Sequence, residues 1–181
     1  MRKQLTGATA LIGSLLASVS LAGAPKGISL TLPLIPKDPS HLHGYRASVW
    51  LQPESLIWSH ARIYFSAGFG HWWVNSDLPN QSLSIYSLSP VLRWYFFTQE
   101  TVSPFIDLGV GPSWMTRTRF DNRNLGMHFA FQDEVGLGAT FGKKQAISVI
   151  LAAMHYSNAS LCNMNAGITV PLILTVALNL D

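Results

Sequence analysis

The feature that most constrains the fold is an alternation of apolar and polar side chains with a period of two residues. In residues 60–74, HARIYFSAGFGHWWV, one series contains Ile63 and Phe65 and the other contains Arg62 and Ser66. Related alternation recurs in the runs 83–97, 102–114, 125–141, 146–158 and 167–181, and the bulky series of 125–141 begins with Leu125. Turn-forming clusters such as NSDLPNQ, FDNRN and GKKQ separate the runs. Because successive residues of a β-strand point to opposite faces of a sheet, the pattern predicts an all-β protein.

The low charge content indicates which face of these strands points outward. Only 12% of the residues are charged, whereas 48% are hydrophobic. A soluble β-sandwich needs more polar residues to coat its two outer faces, so we rank that fold last. A transmembrane β-barrel has the opposite arrangement, with bulky apolar residues facing lipid and polar or small residues facing the interior. The composition therefore favours a barrel in a membrane.

Aromatic residues and strand count make this prediction more specific. Four tryptophans near predicted strand ends are candidates for the aromatic girdles of a membrane barrel: Trp72, Trp73, Trp94 and Trp114. The segment ISLTLPL and the region after Gly44 supply the first strands. We therefore predict an antiparallel transmembrane β-barrel of about eight strands, whose interior is filled by side chains and is too narrow for a wide pore.

The N-terminal segment has the pattern of a cleaved signal peptide. Arg2 and Lys3 precede an uncharged stretch that ends in Ala-Gly-Ala before Pro25. We predict a signal peptide at 1–24 and a barrel domain at 25–181; a transmembrane anchor is the alternative. Cleavage would remove both cations and leave a nearly neutral chain, so its charge does not indicate a nucleic-acid partner.

Motifs for metals and cofactors are weak. Cys162 is the single cysteine, which excludes an internal disulfide and favours a neutral thiol over a nucleophile. The pair His41 and His43 lacks further ligands at metal-site spacing. The glycines of VGLGATFGKK do not have the spacing of a phosphate-binding loop. We expect neither a metal nor a cofactor.

A histidine and a serine extend the apolar face of the run 146–158. His155 and Ser157 are two positions apart and share a face with Val149 and Leu151, so they are predicted to point outward near the end of the strand. A serine hydroxyl becomes a nucleophile when an imidazole accepts its proton. Asn158 could then supply an amide donor for the oxyanion or help to position backbone N–H groups. A triplet of this kind is common, and coincidence is the alternative.

Three longer stretches resemble the outer-membrane lipid A 3-O-deacylase family, the PagL-type enzymes. They are SPFIDLGVGPSW, TRTRFDNRNLGMHFAFQDEVGLGATFG and HYSNASLCNMNAGI, within about residues 103–169. The resemblance implies an eight-stranded barrel of the Gram-negative outer membrane that cleaves an ester-linked acyl chain from lipid A, without a cofactor. It also implies that His155 is the general base, Ser157 the nucleophile and Asn158 a contributor to the oxyanion hole.

One position departs from the family pattern. The glutamate that orients the histidine commonly follows Gly-Ile, and here Thr169 follows. Strand alternation would also place Val170 on the outward apolar series and Thr169 toward the interior, unless a bulge redirects the strand. Asp133, on the outward series of the preceding strand, is an alternative acid, whereas Glu134 is predicted to face inward.

These observations leave alternative functions open. The first is a member of the same family with weak or no activity, which would be a structural or lipid-binding barrel. The second is an unrelated small barrel used for adhesion or membrane integrity. The sequence also leaves open the preferred acyl chain and the formation of a homodimer.

Overall fold

The computed structural model of the protein, which describes residues 26–99 and 101–180, is a closed barrel of eight antiparallel strands. The barrel strands are β1 (Lys26–Ile35), β2 (Leu42–Leu51), β3 (Ala61–Val74), β4 (Ser82–Tyr95), β5 (Val102–Met115), β8 (Phe129–Phe141), β9 (Ile147–Ser157) and β10 (Ile168–Asn179). The connection from β5 to β8 carries a small hairpin of β6 (Arg119–Phe120) and β7 (Arg123–Asn124). The predicted fold and strand number are thus confirmed.

The barrel closes because β1 pairs with β2 on one side and with β10 on the other. Short 3₁₀ helices at Glu54–Leu56 and Lys143–Gln145 lie in two of the connections. Within the described residues, no helix has the length and hydropathy needed to cross a membrane. The predicted signal peptide, residues 1–24, lies outside the described residues.

The outer wall carries the bulky apolar series that the alternation predicted. Leu108 on β5, Leu137 on β8 and Val149 on β9 are exposed on this wall. Their neighbours in sequence, among them Asp107 and Ser148, are buried in the interior. A wall of exposed leucine, valine and isoleucine is stable when lipid covers it, so this face matches the requirement of a membrane barrel.

The interior is divided into an apolar end and a polar end. At the end where β9 leads into β10, called here the β9–β10 end, Trp72, Phe120 and Met154 form a packed apolar cluster. Trp72 is fully buried there, so its predicted place in an aromatic girdle is wrong, whereas Trp73, Trp94 and Trp114 are exposed. The β6–β7 hairpin contributes Phe120 to this cluster and so lies at the barrel end.

The run 125–141 also differs from its prediction, because β8 begins only at Phe129. Leu125, predicted on the outward series, lies in the preceding loop and is buried with the apolar cluster. Residues in a loop do not alternate between two faces as strand residues do. The Leu125 side chain is therefore free to pack in the apolar cluster, where burial is more favourable than exposure.

The opposite half of the interior is polar. The Arg93 and Asp107 side chains form an ion pair at 2.8 Å, and Tyr64 donates a hydrogen bond to the same carboxylate. Arg46 donates hydrogen bonds to the hydroxyls of three serines, Ser48, Ser66 and Ser87. Of these groups, Arg46, Tyr64, Ser66 and Arg93 line a cavity of about 590 Å³. The predicted polar interior therefore applies to this half of the barrel.

Candidate active site

Strand register brings three candidate residues into one row on the outer wall. His155 on β9 lies directly opposite Asp133 on β8 and directly opposite Thr169 on β10. Ser157 is the last residue of β9 and lies opposite Phe131. All four polar residues of this group are half-buried. The predicted base and nucleophile therefore share the outward face, with both candidate acids beside the histidine.

His155 is held by Thr169. The imidazole Nδ1 and the threonine Oγ1 are 2.8 Å apart. When Nδ1 carries the proton it donates this hydrogen bond, and Nε2 is left with a lone pair that can accept a proton from serine. The side chain of Asp133 forms no hydrogen bond or ion pair with the rest of the described chain. Of the two candidates for the third member of the site, Thr169 is thus the one whose side chain contacts the imidazole.

A β-bulge in β10 explains how Thr169 reaches the outer wall. The pairing of β10 with β9 shifts register between Val170 and Ile173, and both of these residues are fully buried. The predicted outward series included Val170, and that assignment is wrong on the N-terminal side of the bulge. Pro171 lies within the irregular segment, where its missing N–H does not interrupt a regular ladder. The bulge thereby turns Thr169 outward, beside His155.

Gly167 shapes the pocket around the imidazole. Its φ is +62°, in the left-handed region that favours glycine. A Cβ at this position would lie 3.0 Å from the imidazole Cε1 and 3.0 Å from the carbonyl oxygen of Tyr156. Gly167 therefore allows the β9–β10 loop to pack directly on His155. The sequence motif contained this glycine, but sequence reasoning assigned it no role.

Asp38 joins the site from a distant part of the chain. Its backbone N–H donates to the Thr169 carbonyl at 3.1 Å, and the Thr169 N–H donates to the Asp38 carbonyl at 3.0 Å. This bridge extends the sheet beyond the bulge and fixes the backbone that carries the Thr169 hydroxyl. No sequence signal linked residues so far apart along the chain.

Asn158 braces the loop that follows the serine. Its side-chain amide donates to the carbonyl oxygens of Leu125 at 3.0 Å and Met164 at 2.7 Å, and its backbone N–H donates to the Asn165 side chain at 3.0 Å. These bonds use every N–H that Asn158 has. Of the two roles predicted for Asn158, this geometry favours the positioning of neighbouring backbone over direct donation to an oxyanion.

The weaker sequence candidates lie apart from this row. Cys162 is a free, half-buried thiol in the β9–β10 loop. His43 on β2 stacks on Trp73 with ring centroids 6.2 Å apart. In the described part of the chain, no three His, Cys, Asp or Glu side chains are grouped to hold a metal ion.

Aromatic side chains indicate the depth of the site. Phe131, opposite Ser157, packs edge to face on Phe129 with centroids 5.1 Å apart. Trp114, opposite Phe129, stacks on His128 at 5.3 Å. Aromatic girdles mark the level where hydrocarbon meets headgroups. A serine and a histidine at this level of an eight-stranded barrel define a class of protein, a membrane barrel with a candidate hydrolytic site facing the lipid.

Comparisons with known proteins identify the family. A model of the family described as "Lipid A 3-O-deacylase (PagL)" matches residues 43–174. The chain therefore belongs to the lipid A 3-O-deacylase (PagL) family, and it is an outer-membrane β-barrel. The resemblance found in the sequence is confirmed.

Individual relatives agree with this assignment. Lipid A deacylase PagL of Pseudomonas aeruginosa is 36% identical over 107 residues, which cover 58% of each chain. Lipid A deacylase PagL of Bordetella bronchiseptica is 26% identical over 123 residues, which cover 68% of this chain and 66% of that protein. The matches thus span less than two thirds of the length of these curated relatives. The crystal structure of the outer membrane enzyme PagL superposes with a TM-score of 0.64 at 25% identity, covering 84% of this chain and 98% of that one.

Proposed function

We propose that this protein is a lipid A 3-O-deacylase that hydrolyses the ester of the 3-hydroxyacyl chain by a serine mechanism. The observation that carries the proposal is the outward-facing His155, fixed by Thr169 and followed two residues later by Ser157. A pair in this position meets substrates from the membrane, because the hydrocarbon chains of lipid A lie beside the barrel wall. The names of the relatives supply the substrate class.

The chemistry follows from the two side chains. The Ser157 oxygen attacks the ester carbonyl carbon while His155 Nε2 accepts the hydroxyl proton. The tetrahedral intermediate then expels the sugar oxygen, which takes that proton from the imidazolium, and an acyl-serine forms. Water, deprotonated by the same nitrogen, attacks the acyl-serine and releases the 3-hydroxy fatty acid. Ser157 regains its proton and the site is restored.

The oxyanion is assigned to backbone groups. The N–H groups of Ala159 and Ser160, two and three residues after the nucleophile, have no hydrogen-bond partner within the described chain. Both residues are left-handed, with φ of 51° and 62°, and the Leu161 N–H closes the turn onto the Asn158 carbonyl at 3.0 Å. Fixed N–H groups beside a reacting carbonyl stabilise the negative oxygen that develops there. Asn158 contributes by holding this turn in place.

The function of the missing glutamate is divided between two residues in this proposal. Thr169 accepts the imidazole N–H bond but carries no charge, so it orients the ring without stabilising the imidazolium. Asp133 lies in register with His155, where side chains of paired strands have Cβ atoms about 5 Å apart. Its carboxylate supplies a negative charge close to the ring without contacting it.

A second candidate function is favoured by the same threonine. A barrel without a carboxylate hydrogen-bonded to its histidine stabilises the imidazolium less well, and a slow enzyme could serve chiefly as a lipid-binding or structural barrel. The two functions differ in turnover, which a single experiment measures.

Mass spectrometry of lipid A separates the two functions. Cells that produce the wild-type protein should contain lipid A lacking one ester-linked 3-hydroxyacyl chain, and cells that produce Ser157→Ala should contain unmodified lipid A. Ser82→Ala is the matched control, because Ser82 is, like Ser157, a half-buried serine at this end of the barrel wall, and it lies on β4, away from His155. Unmodified lipid A with abundant, folded wild-type barrel would contradict the esterase proposal and support the second candidate.

A further inference from the structure

Arg123 on β7 connects three separate points around the candidate active site. Its Nε donates to the Gly167 carbonyl at 2.8 Å, and its Nη2 donates to the Ala166 carbonyl. Its Nη1 donates to the Asp38 carboxylate at 3.2 Å, which is also an ion pair. One side chain therefore joins the β5–β8 connection, the β9–β10 loop and the β1–β2 loop.

Both of the segments that Arg123 ties down are in contact with the histidine system. Gly167 packs on the imidazole, so a shift of its backbone moves the surface against which the ring lies. Asp38 pairs with the Thr169 backbone, so a shift of Asp38 moves the hydroxyl bonded to Nδ1. The guanidinium is thus bonded to both sides of the imidazole environment. On one side is the Gly167 backbone, which contacts the ring, and on the other is Asp38, which holds the backbone of Thr169.

We infer that Arg123 is a positioning residue, which fixes the imidazole of His155 for proton transfer; the inference rests on the proposed function. Arginine suits this task because its planar fork donates several hydrogen bonds in fixed directions, whereas the ammonium of lysine is a single point. The ion pair alone is a weak explanation, because the Arg123 and Asp38 side chains are 21% and 38% exposed and solvent screens such pairs. The positioning effect therefore rests on the geometry of the hydrogen bonds from Arg123 to the carbonyl oxygens of Ala166 and Gly167.

The first test measures turnover on lipid A with the purified full-length barrel in detergent. Arg123→Ala should lower kcat about 10- to 100-fold with little change in KM, since small displacements of a catalytic group cost rates of this order. Arg123→Lys should restore little of the loss, because it keeps the charge but not the fork. Arg119→Ala is the matched control. Arg119 lies on β6 of the same hairpin, is exposed and has no hydrogen-bonding side-chain partner within the described chain, so its kcat should stay within about twofold.

The second test monitors the imidazole N–H of His155 by NMR and does not depend on enzymatic activity. In protein labelled with ¹⁵N-histidine, the Nδ1–H of His155 should give a slowly exchanging signal that is assigned by its loss in Thr169→Val. Arg123→Ala should broaden or abolish this signal and Arg119→Ala should preserve it. Asp38→Ala, which keeps the backbone pairing with Thr169, should weaken protection to a smaller extent. If Arg123→Ala fails to fold, Asp38→Ala still tests the positioning role of the contacts between Arg123 and the site.

The outcomes distinguish the inference from the function on which it rests. Wild-type protein that deacylates lipid A, with Arg123→Ala equal to Arg119→Ala in kcat and in the imidazole signal, overturns the positioning role. A rise in KM with unchanged kcat also overturns it, because Arg123 would then bind substrate. An inactive wild type with a signal that still depends on Arg123 overturns the proposed function and supports the positioning role.

Discussion

His155 and Thr169 face each other across β9 and β10, with Nδ1 and Oγ1 2.8 Å apart, on the wall that faces lipid. The pair exists because a bulge reverses the alternation of β10 between Val170 and Ile173. A neutral hydroxyl therefore occupies the position of the histidine-orienting carboxylate expected from the family pattern.

Restoring a carboxylate at position 169 should increase turnover. Thr169→Glu places an anion on the outward face beside the imidazole, where it can stabilise the imidazolium as well as orient it. An orienting acid contributes up to about 10⁴-fold in other serine hydrolases, so we expect an increase of at least about tenfold in kcat. Kinetics on purified lipid A measure it; a decrease with intact folding would show that the carboxylate does not reach the ring.

Removing the hydroxyl should have a modest effect. Thr169→Val keeps the shape of the side chain but deletes the hydrogen bond to Nδ1. A single net hydrogen bond is worth about 1 kcal/mol, so kcat should fall about fivefold. Single-turnover rates are the measurement. A loss as complete as that of His155→Ala would mean that Thr169 does more than orient the ring.

Charge at position 133 should assist the reaction from the neighbouring strand. Asp133→Asn removes an anion from the position directly opposite His155, and two charges about 5 Å apart interact by about 1–3 kcal/mol between the dielectric of water and that of a protein surface. We expect kcat to fall about 5- to 100-fold. The double variant with Thr169→Glu should show a smaller loss, because the new carboxylate supplies the same charge. Equal losses in the two backgrounds would indicate independent roles.

A methyl group at position 167 should inactivate the site. Gly167→Ala introduces a Cβ 3.0 Å from the imidazole Cε1 at a φ of +62°, so the ring and the loop cannot both keep their places. Gly142→Ala is the matched control, since its φ is +80° but its nearest contact would be 3.9 Å. Both variants carry the cost of an alanine at positive φ, and the Gly142 variant, with ψ of 173°, carries the larger backbone cost. Deacylation by the Gly167 variant at the rate of the control would refute the close packing.

The alternation of side chains predicted most of the barrel wall. Strands such as β5 and β9 follow one regular pattern from end to end, and a pattern of this kind is local to the sequence. His155 and Ser157 could be placed on the outer face for the same reason. Family resemblance then supplied the chemistry that spacing alone left open.

The remaining features depend on contacts between distant parts of the chain. The residue type of Trp72 predicts a girdle position, but the alternation of β3 places it inward with Ser66, in a cluster whose member Phe120 comes from the distant hairpin. The outward turn of Thr169 required a bulge, which the sequence allowed at Pro171 but did not specify. Arg123 and Asp38 are separated by most of the barrel in sequence, and nothing in either local pattern indicates their contact.

The most direct test of the central claim is the site of a covalent adduct. The purified barrel is treated with a lipophilic fluorophosphonate, which phosphonylates an activated serine with loss of fluoride. The modified peptides of the protein are then mapped by mass spectrometry. We predict one adduct on Ser157, absent from His155→Ala and unchanged in Ser82→Ala. An active enzyme that carries the adduct on Ser160 or another residue, or that labels Ser157 equally without His155, would contradict the account.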